Sequence, residues 1–250
     1  MNFYPIFEKE LRAYFISPIV YGILTIYLLL SGYFFFTDLN LYNAINFDGQ
    51  YNPVEGMWKH YFNDLRFVLM LVMPFITMKL VAEEKKLGTF ELLTTYPVRD
   101  GEIVAGKFLA SLVVFVLMMA LTLTNVLFWG ILWSFSGLQP LMAGYLGLFL
   151  LGCALIACGL FISSLTDNQT LAGMVTLGVF ILFWFLTWNE LIASEKIIGL
   201  LIRFSLFDRT EGFFQGVIDT KDVAFFVLFV FFFVFMSLRT LEARSWRGER

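Results

Sequence analysis

Charged positions fall in clusters along the chain, and the stretches between them are apolar runs of bilayer length. Residues 13–37 hold no charged side chain and exceed the roughly 20 residues a crossing needs. Residues 67–78 give only 12 uncharged positions, and they reach span length by continuing to Ala82 through Lys79, whose amine can snorkel to the interface. Residues 108–166 run for 59 positions without a charge. As one helix they would extend about 90 Å at ~1.5 Å per residue, too far for one crossing. The stretch Trp133 to Pro140, WSFSGLQP, supplies the break through its turn residues and interfacial Trp. Asp167, Asn168 and Gln169 mark the next turn, after which residues 170–189 and 223–238 cross again. The pattern predicts six transmembrane helices in an all-α integral membrane protein.

Ahead of the first span, residues 1–16 have a different period. Phe3, Ile6, Phe7, Leu11, Tyr14 and Phe15 fall close to one helical face, with Glu8, Lys9 and Arg12 on the other. This predicts an amphipathic helix lying in the membrane interface, the alternative being a simple extension of the first span. The transmembrane unit then covers residues 17–240, with long outer loops at about 38–64 and 190–221, an inner loop at 79–107 and a tail at 241–250. An even number of crossings puts both termini on one side. With that side cytoplasmic, the inner segments hold 11 of the 17 Lys and Arg and the outer ones 6, so the positive-inside rule favours cytoplasmic termini.

Composition agrees with this organisation. Hydrophobic residues make up 59% of the chain, charged residues 15%, and the mean hydropathy is +0.79, whereas soluble domains carry about 25% charged residues. The net charge of -3 and the absence of a basic cluster away from the membrane flanks give nucleic acid nothing to bind. Cys153 and Cys158 sit five residues apart inside an apolar run, as small packing residues. Glu8, Lys9, Glu10 and Arg12 precede an apolar run too long for a signal-peptide core, so the first crossing is expected to stay in the mature protein.

Several chemistries lack their residues. The segment GEIVAGKF, Gly101 to Phe108, resembles a phosphate-binding loop, but Phe108 stands where a metal-binding hydroxyl is needed and the segment opens a transmembrane helix without a preceding strand. Asp100 is expected as its N-cap, Glu102 in its first turn and Lys107 at the lipid headgroups. His60 is the only histidine, too few for bis-histidine haem or a metalloprotease. The middles of the six spans hold no charged residue, unlike ion-coupled carriers. Thr122, Thr124, Asn125, Ser163 and Ser164 supply mild polarity, with Asn125 expected in a helix-to-helix hydrogen bond. Gly144, Gly147, Gly152, Ala154, Ala157 and Gly159 fit the fourth span for close packing. No catalytic residue, metal site or cofactor site is expected.

The inner loop, KLVAEEKKLGTFELLTTYPVRDGEIVAGK, is rich in helix formers. After Gly88, residues 89–96 can form about two helical turns ending before Pro97, with Phe90, Leu93 and the Tyr96/Pro97 end on one side. An apolar knob on a short helix suits a groove on another protein; an interfacial helix resting on lipid is the alternative. The run Glu83-Glu84-Lys85-Lys86-x-Gly88-Thr89-x-Glu91-Leu92-Leu93-Thr94-x-x-Pro97, followed by Ile103-Val104-x-Gly106-Lys107-Phe108, resembles the cytoplasmic loop of type-2 ABC exporter permeases. The chain is most similar to the gliding-motility-associated subgroup, also through Ser17-Pro18-Ile19, Ser163 to Gln169, and Gly216-Val217-Ile218-Asp219-Thr220-x-Asp222.

The resemblance implies six helices per permease, a second permease copy or paralogue, and separate ABC ATP-binding subunits that bind ATP and Mg and grip a coupling helix. That role maps onto Glu83, Glu84, Gly88, Thr89, Phe90, Glu91, Leu92, Leu93 and Pro97. The implied protein is a non-enzymatic permease subunit of the bacterial cytoplasmic (inner) membrane, exporting cargo at the expense of ATP on its partner. Membrane lipid surrounds it, and the long outer loops leave room for an accessory extracytoplasmic subunit. The alternative function is a non-transporting scaffold of an envelope or motility complex.

Overall fold

In the computed structural model, residues 3–45, 57–89, 99–133, 138–187 and 205–247 are described. All regular structure among them is helical: α1 (Phe3–Ile16), α2 (Pro18–Ile45), α3 (Lys59–Thr77), α4 (Ala82–Lys86), α5 (Asp100–Trp133), α6 (Leu138–Leu165), α7 (Gln169–Thr187), α8 (Asp208–Phe214) and α9 (Thr220–Arg247). Five helical segments are long and apolar enough to cross a membrane, Pro18–Ala44, Lys59–Lys86, Asp100–Ile131, Pro140–Leu165 and Thr220–Ala243, and the apolar part of α7, Gln169–Phe185, is shorter. The chain is a multi-pass membrane protein.

The boundaries follow local chemistry. Ser17 separates α1 from α2, and Pro18 opens α2, where its missing N–H has no helical partner to lose. The amphipathic segment is thus separated from the first long apolar helix by a break at Ser17 alone. The turn between α6 and α7 has Asn168 as a cap, its side-chain oxygen accepting from the Thr170 and Leu171 N–H groups at 3.0 and 3.4 Å. At the start of α5 the cap differs from the expected Asp100. The carbonyl of Arg99 accepts the first helical bond from Ile103 at 3.3 Å, while Glu102 reaches back to the Arg99 N–H at 3.5 Å. Arg99 is the cap, Asp100 the first helical residue, and Glu102 completes half a capping box.

Two helices run further than their hydropathy suggests. α2 continues past Thr37 to Ile45 and buries Asp38; α3 begins at Lys59, where Tyr61, Phe62 and Leu65 are buried. Much of the expected outer loop at 38–64 is therefore helix. The expected outer loop at 190–221 contains α8, whose Phe213 and Phe214 are fully buried.

α6 is the central helix, packed by α3, α5, α7, α8 and α9. Its small residues permit this: a Cβ at Gly152 would lie 2.1 Å from the Phe115 ring, and one at Gly159 would lie 2.3 Å from Thr77 Oγ1. Both close approaches require glycine, in line with the packing role expected of this span. Cys153 and Cys158 are free and buried in the same helix. The near end of the bundle carries α1, α4, the start of α5 and the α6–α7 turn. The far end carries α8 and the ends of α2 and α5.

Candidate transmission site at the near end of the bundle

α1 seats on α5 at Gly106, where an added Cβ would fall 3.0 Å from Ile6 Cγ2 and 3.3 Å from the Phe7 nitrogen. The Tyr14 hydroxyl donates to the Ile76 carbonyl at 2.9 Å and so ties α1 to α3. This contact covers Lys107. Instead of reaching the headgroups as expected, its side chain is 1% exposed, with Nζ 2.8 Å from Glu10 Oε1 and 2.7 Å from Glu84 Oε2. The other oxygen of Glu84 takes Lys9 at 2.7 Å. A buried ammonium is tolerated only when paired, and here two carboxylates from two separate elements surround it. Burial raises the Glu10 carboxyl above its ordinary value, and the neighbouring Lys107 opposes that rise.

Glu84 and its neighbour Lys85 hold opposite sides. The Lys85 amine donates to the Ser164 carbonyl and lies 3.7 Å from Asp167 in the α6–α7 turn. Ser163 Oγ accepts from the Val81 and Ala82 N–H groups, both at 3.1 Å, and donates to the Met78 carbonyl at 3.2 Å. One hydroxyl therefore satisfies three backbone groups of the turn between α3 and α4. α4 ends at Lys86, and Gly88, just past the C-cap Leu87, lies at φ 70°, a left-handed conformation suited to glycine. Thr89 Oγ1 donates back to the Glu84 carbonyl at 3.3 Å. A cavity of about 340 Å³ opens beside these residues, its lining including Lys9, Tyr14, Ser17, Lys79, Glu83 and Thr89.

Of the residues expected to couple to another subunit, Glu83, Glu84, Gly88 and Thr89 are brought together here. Phe90, Glu91, Leu92, Leu93 and Pro97 lie outside the described residues. Sequence reasoning missed Lys9, Glu10 and Ser163 as members of the site and misplaced Lys107. The adjacent Gly106 was a usable signal, since a glycine beside a lysine on one helix face leaves room for another helix to cover the charge.

Asn125 does bridge helices as expected, donating to Tyr61 OH on α3 at 2.8 Å and to Ser31 Oγ on α2 at 3.1 Å. No group of three or more His, Cys, Asp or Glu suited to a metal ion occurs among the described residues.

The chain matches the family described as ABC-2 family transporter protein over residues 4–202. It belongs to that family. It is accordingly a membrane component of an ABC-2 type transporter, and the family implies an ATP-binding subunit as its partner. No curated protein matches the chain.

Proposed function

We propose that this ABC-2 chain is the permease subunit of an ATP-driven exporter, and that residues 79–107 receive the conformational change of a separate ATP-binding subunit. The observation that carries this reading is the pinning of the segment just before residue 90 on two sides. Glu84 ties it to α1 and α5 through Lys107 and Glu10; Lys85 and Ser163 tie it to α6 and the α6–α7 turn. A push on residues 89–97 then reaches four helices at once, as a coupled rigid-body movement requires.

In this reading ATP and Mg stay on the partner, both termini face the cytoplasm, and α1 rests in the inner leaflet interface of a bacterial inner membrane. Six crossings, with α7 as the fifth, pair with those of a second permease copy or paralogue. The motifs at Ser17-Pro18-Ile19 and Gly216 to Asp222 support the motility-associated subgroup.

A photo-crosslinking amino acid at Phe90 in native membranes tests the assignment. Capture of an ATPase with a complete P-loop is the expected result. Capture of lipid alone would remove the coupling role and favour a scaffold. In reconstituted assemblies, replacing Phe90 and Leu93 by Asp should leave ATP turnover intact and abolish transport.

A further inference from the structure

Asp38 lies in α2 at the far end of the bundle and is 5% exposed, and its Oδ2 has no hydrogen-bond partner. A buried, unpartnered carboxylate is costly unless a positive charge neutralises it. The charged groups around it are few. On α3 its electrostatic neighbour is Asp64, a second carboxylate, which makes the site more negative, and His60 in turn acts on Asp64. Tyr61 on the same helix also senses Asp38. The lysine and the arginine of α3 are engaged elsewhere: Lys59 pairs with Glu211 at 2.7 Å, and Arg66 donates to the Phe207 carbonyl at 2.6 Å. α2 has no other charged residue, and α5 has none beyond Lys107.

Among the described residues, then, the elements packed against Asp38 place no paired cation on it, His60 being exposed and acting on Asp64. Size then decides what can neutralise it. The area of Oδ2 open to solvent is below 1 Å², so neither a hydrated alkali ion nor a cargo ammonium reaches it in this arrangement.

We propose that Asp38 is a proton-binding site, its carboxyl neutral while the far ends of α2 and α3 are packed together and exchanging its proton when they part. The reaction is simple proton transfer between the carboxyl and water, with no other reactant. Such a site makes the far-end opening of the permease sensitive to the pH on that side, independently of how ATP is coupled at the near end.

The test is infrared difference spectroscopy of the full-length protein in nanodiscs, titrated from mildly acidic to mildly alkaline pH. One protonated-carboxyl C=O component of the wild-type spectrum should be lost in Asp38→Asn. Asp64→Asn should keep the band and move its titration midpoint to lower pH, because removing a neighbouring negative charge makes the acid easier to ionise. That second variant keeps the proposal testable if Asp38→Asn does not fold. A band unaltered in Asp38→Asn, or a midpoint unmoved in Asp64→Asn, would overturn the proposal. A midpoint that shifts when sodium replaces potassium would also overturn it, in favour of an alkali-ion site.

Discussion

Lys107 and Glu84 stand 2.7 Å apart at the near end of the bundle, 23 positions apart in the chain, with the lysine side chain 1% exposed. Glu10 completes the arrangement from α1. Three elements thus share one buried positive charge. Removing that charge leaves two carboxylates in a covered site with only the half-exposed Lys9 beside them, so Lys107→Met should destabilise the protein by about 3–5 kcal/mol. Adding Glu10→Gln and Glu84→Gln to the same chain should recover part of that loss. Denaturant titration of the purified protein in micelles measures both, and a single-site loss without recovery would mean that Lys107 acts by packing alone.

The Ser163 hydroxyl gives a second handle on the same turn. Ser163→Ala leaves the Val81 and Ala82 N–H groups and the Met78 carbonyl without their partner, at a cost of about 1–3 kcal/mol for buried groups so exposed. The effect should be local. Hydrogen exchange by mass spectrometry should show faster exchange over residues 78–86, with the amides of α9 unchanged. Uniform acceleration across the chain would instead indicate global unfolding.

Glu10 carries a pH signature. Burial holds its carboxyl above the ordinary 4.5 in the folded chain, with Lys107 opposing. The folded state therefore binds the proton more readily than the unfolded state at pH values just above 4.5, and stability contributed by this group falls as pH rises through the folded value. Below 4.5 the contribution is fully present. Unfolding free energies of wild type and Glu10→Gln, compared across that window, should differ in slope, the variant lacking the decline. Parallel curves would show that Glu10 titrates alike in both states.

How much of this was legible in the sequence depends on what each side chain meets. The helices announced themselves because an uncharged run of 59 positions cannot be anything else in a chain this apolar, and the turn at Asn168 is written in turn chemistry. The extension of α2 past Asp38 was hidden: hydropathy treats a carboxylate as a boundary, and only burial by neighbouring helices keeps it within the helix. Lys107 was misplaced for the complementary reason. A lysine in the first turns of a membrane helix ordinarily snorkels to water, and nothing local reveals that α1 folds back over it through Gly106. The local pattern showed an amphipathic helix with Glu10 in it; which partner Glu10 would meet, 97 positions away, is a property of the assembled bundle.

The central helix supplies a prediction with its own control. A Cβ at Gly159 would fall 2.3 Å from Thr77 Oγ1 and 2.6 Å from Thr77 Cβ, and the clash with Cβ is with an atom held by the α3 backbone. Gly159→Ala must therefore push α3 and α6 apart, at about 1–3 kcal/mol for overpacking a well-filled contact. Gly22 and Gly178 have nothing within 4 Å of an added Cβ, and both are helical. Alanine there should be neutral or slightly stabilising, since it limits the unfolded chain. Because Thr77 directly precedes the turn that Ser163 caps, a displaced α3 should also loosen that turn. Thermal melts of the three variants, joined to hydrogen exchange over residues 78–86, separate the outcomes. A lowered midpoint with faster exchange in Gly159→Ala alone is the expected result, and equal melts for all three would show that the α3–α6 contact is looser than this packing requires.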